Sequence, residues 1–161
     1  MADLTLPVVA HRESQRFIGI PADVTLADFG SAIPQHYDEL HAWAAKNGVA
    51  TGLEFIKYDV IDMEGILSVV FCVDTEASVT GDERVVAGEI PAGDYGTTTV
   101  TGTLDDVYDA TAVLVGWAKE RSVEWDAEDT PKGNAFASRI ERYHSQPGAE
   151  QEIVEIAIKT R

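Results

Sequence analysis

Glu141 and Tyr143, two residues apart near the end of this 161-residue chain, are the side chains best placed to do chemistry together. They belong to the run Ile140-Glu141-Arg142-Tyr143, which echoes Ile56-Lys57-Tyr58 in the first half, so the tyrosine occurs twice and the glutamate once. Side chains alternate between the faces of a strand, which puts Arg139, Glu141 and Tyr143 on one side and Ile140 and Arg142 on the other. A glutamate partly withdrawn from water gains from a cation or a hydrogen-bond donor, and with a raised pKa it can activate water as a general base. The tyrosine beside it offers a ring edge or a hydroxyl. The plainer alternative is an ion pair of Glu141 with Arg139 or Arg142 on a solvated strand.

Other chemistries lack their residues. His11, His36, His41 and His144 do not have metal-ligand spacing, since His41 follows His36 by five positions and the zincin pattern needs about four with a glutamate between. Neither a Gly-x-Ser-x-Gly elbow nor a phosphate loop nor a dinucleotide fingerprint occurs, so no metal and no cofactor is expected. Cys72 lies in the apolar run Leu67 to Val73, where it reads as a buried thiol with nothing to activate it.

The elements that must position Glu141 are written twice. Leu6–Arg12 and Arg16–Ala22 read as paired strands joined near Glu13-Ser14-Gln15, followed by a linker over Asp23–Gly30. Ser31 is expected to cap a helix with Pro34 in its first turn, ending at Asn47 before Gly48. Strands Leu53–Ile61 and Ile66–Val73 then turn around Asp62-Met63-Glu64-Gly65. After a polar linker over Asp74–Glu83, the order recurs. Arg84–Ile90 and Asp94–Thr101 are strands, Thr103 and Asp106 frame a capping box for a helix through about Arg121, and Ser138–His144 and Glu150–Lys159 are strands. The stretch Asp126–Ala137 reads as a mobile loop. Trp43 and Trp117 fall at equivalent places in the two helices, each six residues before a valine, Val49 and Val123.

This order predicts an α+β protein of one domain over residues 1–161, with pseudo-symmetric strand-strand-helix-strand-strand repeats over about 5–74 and 83–160. Each unit covers one sheet face with its own helix, and setting the two side by side leaves a central groove suited to a small molecule. Glu141, Tyr143, Tyr58, Tyr95, Trp43 and Trp117 are the candidate lining residues. A cross-strand structural pair for the tyrosines and helix-on-sheet core for the tryptophans are the alternatives.

Composition narrows the partners. With 28 acidic against 12 basic residues the formal charge is −16, and the absence of a Lys/Arg cluster argues against direct nucleic-acid binding. The acidic surface favours solubility and leaves open a basic protein partner. No apolar run approaches the roughly 20 residues that span a bilayer, and no leader opens the chain, so a cytoplasmic location is expected.

The run Glu89-Ile90-Pro91-Ala92-Gly93-Asp94-Tyr95, then Gly102, Trp117 and Glu141-x-Tyr143, resembles the GyrI-like small-molecule-binding family, also called the AraC effector-binding domain, over nearly the whole length. The resemblance implies that Glu141 is the ligand-contacting acid. Members serve as ligand sensors fused to helix-turn-helix domains, as stand-alone proteins, and as hydrolases of strained cyclopropane compounds; this chain is similar to the stand-alone type. It departs from the pattern at Ile140, where tryptophan is common, at Leu104, where tyrosine is common, and at Val100, where histidine is common. The expected function is binding of hydrophobic aromatic compounds, cationic ones included, for sequestration or sensing. The alternatives are a hydrolase using Glu141 as general base with Tyr143 or Tyr95 as hydrogen-bond donor, and a gyrase-inhibitor-like protein-interaction module.

Overall fold

The computed structural model describes residues 2–62, 64–145 and 149–161. Met63, in the expected turn between two strands, lies outside them. The described chain forms eleven strands and two helices: β1 (Asp3–Leu4), β2 (Val8–Arg12), β3 (Gln15–Thr25), α1 (Leu26–Lys46), β4 (Glu54–Ile61), β5 (Ile66–Asp74), β6 (Val86–Ile90), β7 (Gly93–Gly102), α2 (Leu104–Glu120), β8 (Ala127–Thr130), β9 (Gly133–Phe136), β10 (Arg139–Tyr143) and β11 (Glu152–Lys159). All strands join one antiparallel sheet whose main path runs β1-β7-β11-β10-β4-β5-β3-β6. This is the expected α+β class, and the strand-strand-helix-strand-strand order recurs with β8 and β9 added between α2 and β10. One helix lies over each half, α1 against β3 and β5, α2 against β7 and β11.

The halves meet at β4 and β10, the two echoing runs, which pair with Glu141 opposite Ile56 and Arg142 opposite Phe55. They are also laced together at the other end. β2 pairs with β7 and β6 pairs with β3, in unbroken register from Val8 opposite Thr97 through Arg12 opposite Gly93 and Gln15 opposite Ile90 to Gly19 opposite Val86. The expected pairing of Leu6–Arg12 with Arg16–Ala22 is therefore incorrect. A three-residue turn over Glu13-Ser14-Gln15 would need a residue at positive φ, the place glycine usually fills; none of the three adopts it, and the chain runs on and exchanges partners with the other half.

Two further expectations are corrected. Asp23–Gly30 is not a linker, because β3 continues to Thr25 and Thr25 itself caps α1, its hydroxyl accepting from Asp28 N at 3.2 Å. Ser31 is in the helix interior, bonded to the Asp28 carbonyl. Pro34 thus lies two turns in, and its missing N–H leaves the Gly30 carbonyl without its intrahelical donor. Asp126–Ala137 is not a free loop but the β8–β9 hairpin, whose second strand, β9, adds to β4 at Val60 and Ile61.

The second helix matches expectation. Thr103 and Asp106 form the reciprocal capping box, and Val107, Ala110 and Leu114 are its buried stripe. The repeated Trp–Val spacing has a local cause in the helix ends: Val49 N donates to the Ala44 carbonyl and Val123 N to the Ala118 carbonyl, both at 2.9 Å. Cys72 is fully buried in β5, and burial raises its pKa.

Candidate functional site

A cavity of about 670 Å³ opens between the two helices and the sheet at the β4–β10 join. Phe29, Gly30 and Ile33 of α1 form one wall and Val107, Tyr108 and Val115 of α2 the other. Its floor holds Tyr58 of β4 and Arg139, Glu141 and Tyr143 of β10. Strand alternation accounts for the floor, because every second residue of β10 faces the helices. A β-bulge between Tyr58 and Val60 lets β4 leave β10 after Lys57 and take up β9 instead. At Gly30 a Cβ would meet nothing within 4 Å, so the α1 wall has room beside it.

Glu141 is the hub of this floor. Tyr58 donates its hydroxyl to Glu141 Oε2 at 2.9 Å and Tyr143 donates to the same oxygen at 3.4 Å. Oε1 accepts no hydrogen bond from the described residues. Burial raises the Glu141 pKa against the hydrogen bond from Tyr58, the charge of Arg139 and the hydrogen bond from Tyr143, which all favour the ionised form. Burial, then the neighbouring carboxylate, pushes Tyr58 and Tyr143 well above the usual tyrosine value, so both hydroxyls remain protonated donors. The arrangement is a carboxylate with one oxygen anchored and the other open, set in a largely apolar chamber.

The structure brings together three of the six sequence-derived candidates, Glu141, Tyr143 and Tyr58. Tyr95 faces the other side of the sheet, where its hydroxyl donates to the Pro91 carbonyl at 2.6 Å and its ring packs with Phe17, Phe55 and Ile140. Trp43 lies near the C-terminal end of α1 and donates to Asp82 Oδ2 at 2.7 Å. Trp117 packs near the C-terminal end of α2 with the Arg121 guanidinium 5.0 Å over its ring. Neither tryptophan lines the cavity. Sequence reasoning missed Phe29, Tyr108 and the placement of Arg139 as a cavity group; the period-two pattern of β10 already put Arg139 on the Glu141 face.

Two walls of helix over a sheet floor, with one half-buried acid between them, define a small-molecule-binding α+β domain. The family follows from the sequence comparison: the GyrI-like small molecule binding domain matches residues 7–161, and the chain belongs to that family. Solved structures agree in fold. The EcmrR C-terminal domain superposes with a TM-score of 0.71 at 16% identity, over 97% of this chain and 97% of that one. In the EcmrR–DNA complex the TM-score is 0.72 at 17% identity over 97% of this chain, which spans 57% of the EcmrR chain. SAV2435, solved bound to tetraphenylphosphonium, gives 0.57 at 12% identity over 98% and 94% of the two chains. A hydrolase from Listeria innocua gives 0.59 at 8% identity over 96% and 91%. No curated protein matches the chain in sequence.

Proposed function

We propose that the cavity binds hydrophobic aromatic molecules for sequestration or sensing, with Glu141 as the polar anchor for a ligand cation or hydrogen-bond donor. The observation that carries this reading is the open Oε1 of Glu141 in a largely apolar chamber of drug-sized volume, its partner oxygen held by two tyrosine hydroxyls. Burial strengthens an electrostatic contact made there. SAV2435, of the same fold, holds a lipophilic cation, which supports the choice of probe.

The test is isothermal titration of tetraphenylphosphonium into the wild type and Glu141→Gln, with neutral triphenylphosphine oxide as control. A charged contact of this kind predicts about tenfold weaker cation binding in the variant and a smaller change for the neutral compound. Equal weakening of both would remove the anchor role. The hydrolase reading rests on the raised pKa of Glu141, which suits a general base. Incubation with a strained cyclopropane compound separates the two: recovery of intact compound supports binding, and recovery of a ring-opened product supports hydrolysis.

A further inference from the structure

Glu141 shares the cavity with a cation. Arg139 precedes it by two residues on the same face of β10, about 6.6 Å away along the strand. Its guanidinium carbon lies 5.0 Å over the Phe136 ring and 5.9 Å over the Tyr58 ring, which holds the group in place without pairing it. Among the described residues no carboxylate comes within ion-pair distance of Arg139 and no acceptor takes its N–H groups. Its nitrogens are not sealed from the cavity as Arg142 Nε is from its surroundings. Burial lowers the Arg139 pKa against the opposing charge of Glu141, so the group is partly desolvated as well as unpaired. Among the described residues, the one other charged residue lining the cavity is Asp105, exposed at the start of α2.

A ligand bearing only a positive charge would meet Glu141 but bring its charge beside Arg139, leaving that guanidinium without an acceptor. An arginine fork is matched by a carboxylate or a comparable planar anion. We infer that the groove takes amphoteric aromatic ligands, an apolar ring system with a cationic or donor group for Glu141 and an anionic acceptor for Arg139. The inference rests on the reading of this cavity as the ligand site, and it makes Arg139 the residue that sets ligand class.

The probes are rhodamine B, which carries a delocalised cation and a free carboxylate on one aromatic body, and its ethyl ester, in which the carboxylate is blocked. Fluorescence anisotropy of both dyes is measured with the wild type and Arg139→Met, alongside titration of tetraphenylphosphonium. The wild type is expected to bind rhodamine B about tenfold tighter than the ester, and Arg139→Met to abolish that preference while binding tetraphenylphosphonium more tightly. The wild-type comparison stands even where the variant fails to fold. Binding of the ester as tightly as the acid, or of tetraphenylphosphonium with neither dye, overturns the inference and leaves the cavity reading intact. Failure of all three probes overturns both.

Discussion

Strand β10 carries two arginines three residues apart, and their surroundings are opposite. Arg142, on the face away from the helices, donates to Asp74 at 3.1 Å, approaches Glu155 at 3.8 Å and covers the Phe55 ring at 5.1 Å. Arg12 completes the set by gripping Glu155 with both terminal nitrogens, at 2.7 and 2.5 Å. Arg139, on the helix face, has aromatic rings for neighbours and no carboxylate at ion-pair distance among the described residues. The carboxylates differ in the same way: Glu155 is held through both oxygens, Glu141 through one. Both faces also border a cavity, the outer one of about 530 Å³ beside Arg12, Asp74 and Tyr95. Cavity volume alone does not mark the binding site. What separates the two is whether the charges already have partners in the protein.

The largest loss is expected at Arg142, whose side chain is 12% exposed. Arg142→Ala leaves Asp74 without its arginine and Glu155 with one fewer, and is expected to cost about 3 kcal/mol of stability by denaturant unfolding. Arg139→Ala, which strands no paired carboxylate, is expected to cost well under half of that. Equal losses would mean that both arginines are structural.

Acidification separates the carboxylates by sign. Burial acts to raise the Glu155 pKa, but the Arg12 hydrogen bond and the charges of Arg12 and Arg142 outweigh it and leave the pKa lowered. Its contribution to stability is present above the ordinary glutamate value and is lost as pH falls through the lower folded value. Glu155→Gln is thus expected to cost about 2 kcal/mol near neutrality, with the deficit closing under acid. Glu141 has a raised pKa, so its favourable contribution is complete below the ordinary value of 4.5 and is lost as pH rises through the folded value. Glu141→Gln should therefore gain on the wild type as pH rises. Melting temperatures of the three proteins from about pH 3 to pH 8 would show the two trends crossing, and parallel trends would contradict the assignment.

Smaller effects sharpen the cavity side. Tyr58→Phe removes the shorter of the two hydrogen bonds to Glu141 and is expected to cost about 1 kcal/mol, while raising the Glu141 pKa further, which carboxyl carbon NMR titration would detect. Glu141→Gln at neutral pH should shift stability by less than about 1 kcal/mol, because the amide keeps an acceptor for the tyrosines and sheds a buried charge. A large loss there would reassign Glu141 to the structural class of Glu155.

Local signals were legible in the sequence and pairing was not. Thr103 and Asp106 announced a helix start because a capping box is made by residues three apart, and the alternation of β10 put Glu141 and Tyr143 on one face because the period of a strand is local too. The start of α1 was misplaced at Ser31 because Pro34 fits a first turn as well as it fits an interior, and only the length of β3 decides between them. Strand exchange between the halves has no local signature, since β2 and β7 are far apart in sequence and their register is a tertiary fact. The repeated tryptophans suggested a paired wall, but their equivalence comes from helix ends closed the same way. Strand alternation puts Arg139 on the face of Glu141, where the sequence leaves an ion pair between them as the plainer alternative. That Phe136 would arrive beneath Arg139 depended on the polar stretch 126–137 forming a hairpin, which its composition did not suggest.

The most direct test uses the tyrosines as reporters. Among the chain's five, Tyr58 and Tyr143 stand on the cavity floor and Tyr95 on the opposite face beside the outer cavity. With tyrosine rings isotopically labelled and tetraphenylphosphonium titrated in, the ring resonances of Tyr58 and Tyr143 are expected to shift in step with binding while those of Tyr95 stay in place. Movement of Tyr95 with Tyr58 and Tyr143 unchanged would put the ligand on the other side of the sheet and contradict binding at Glu141.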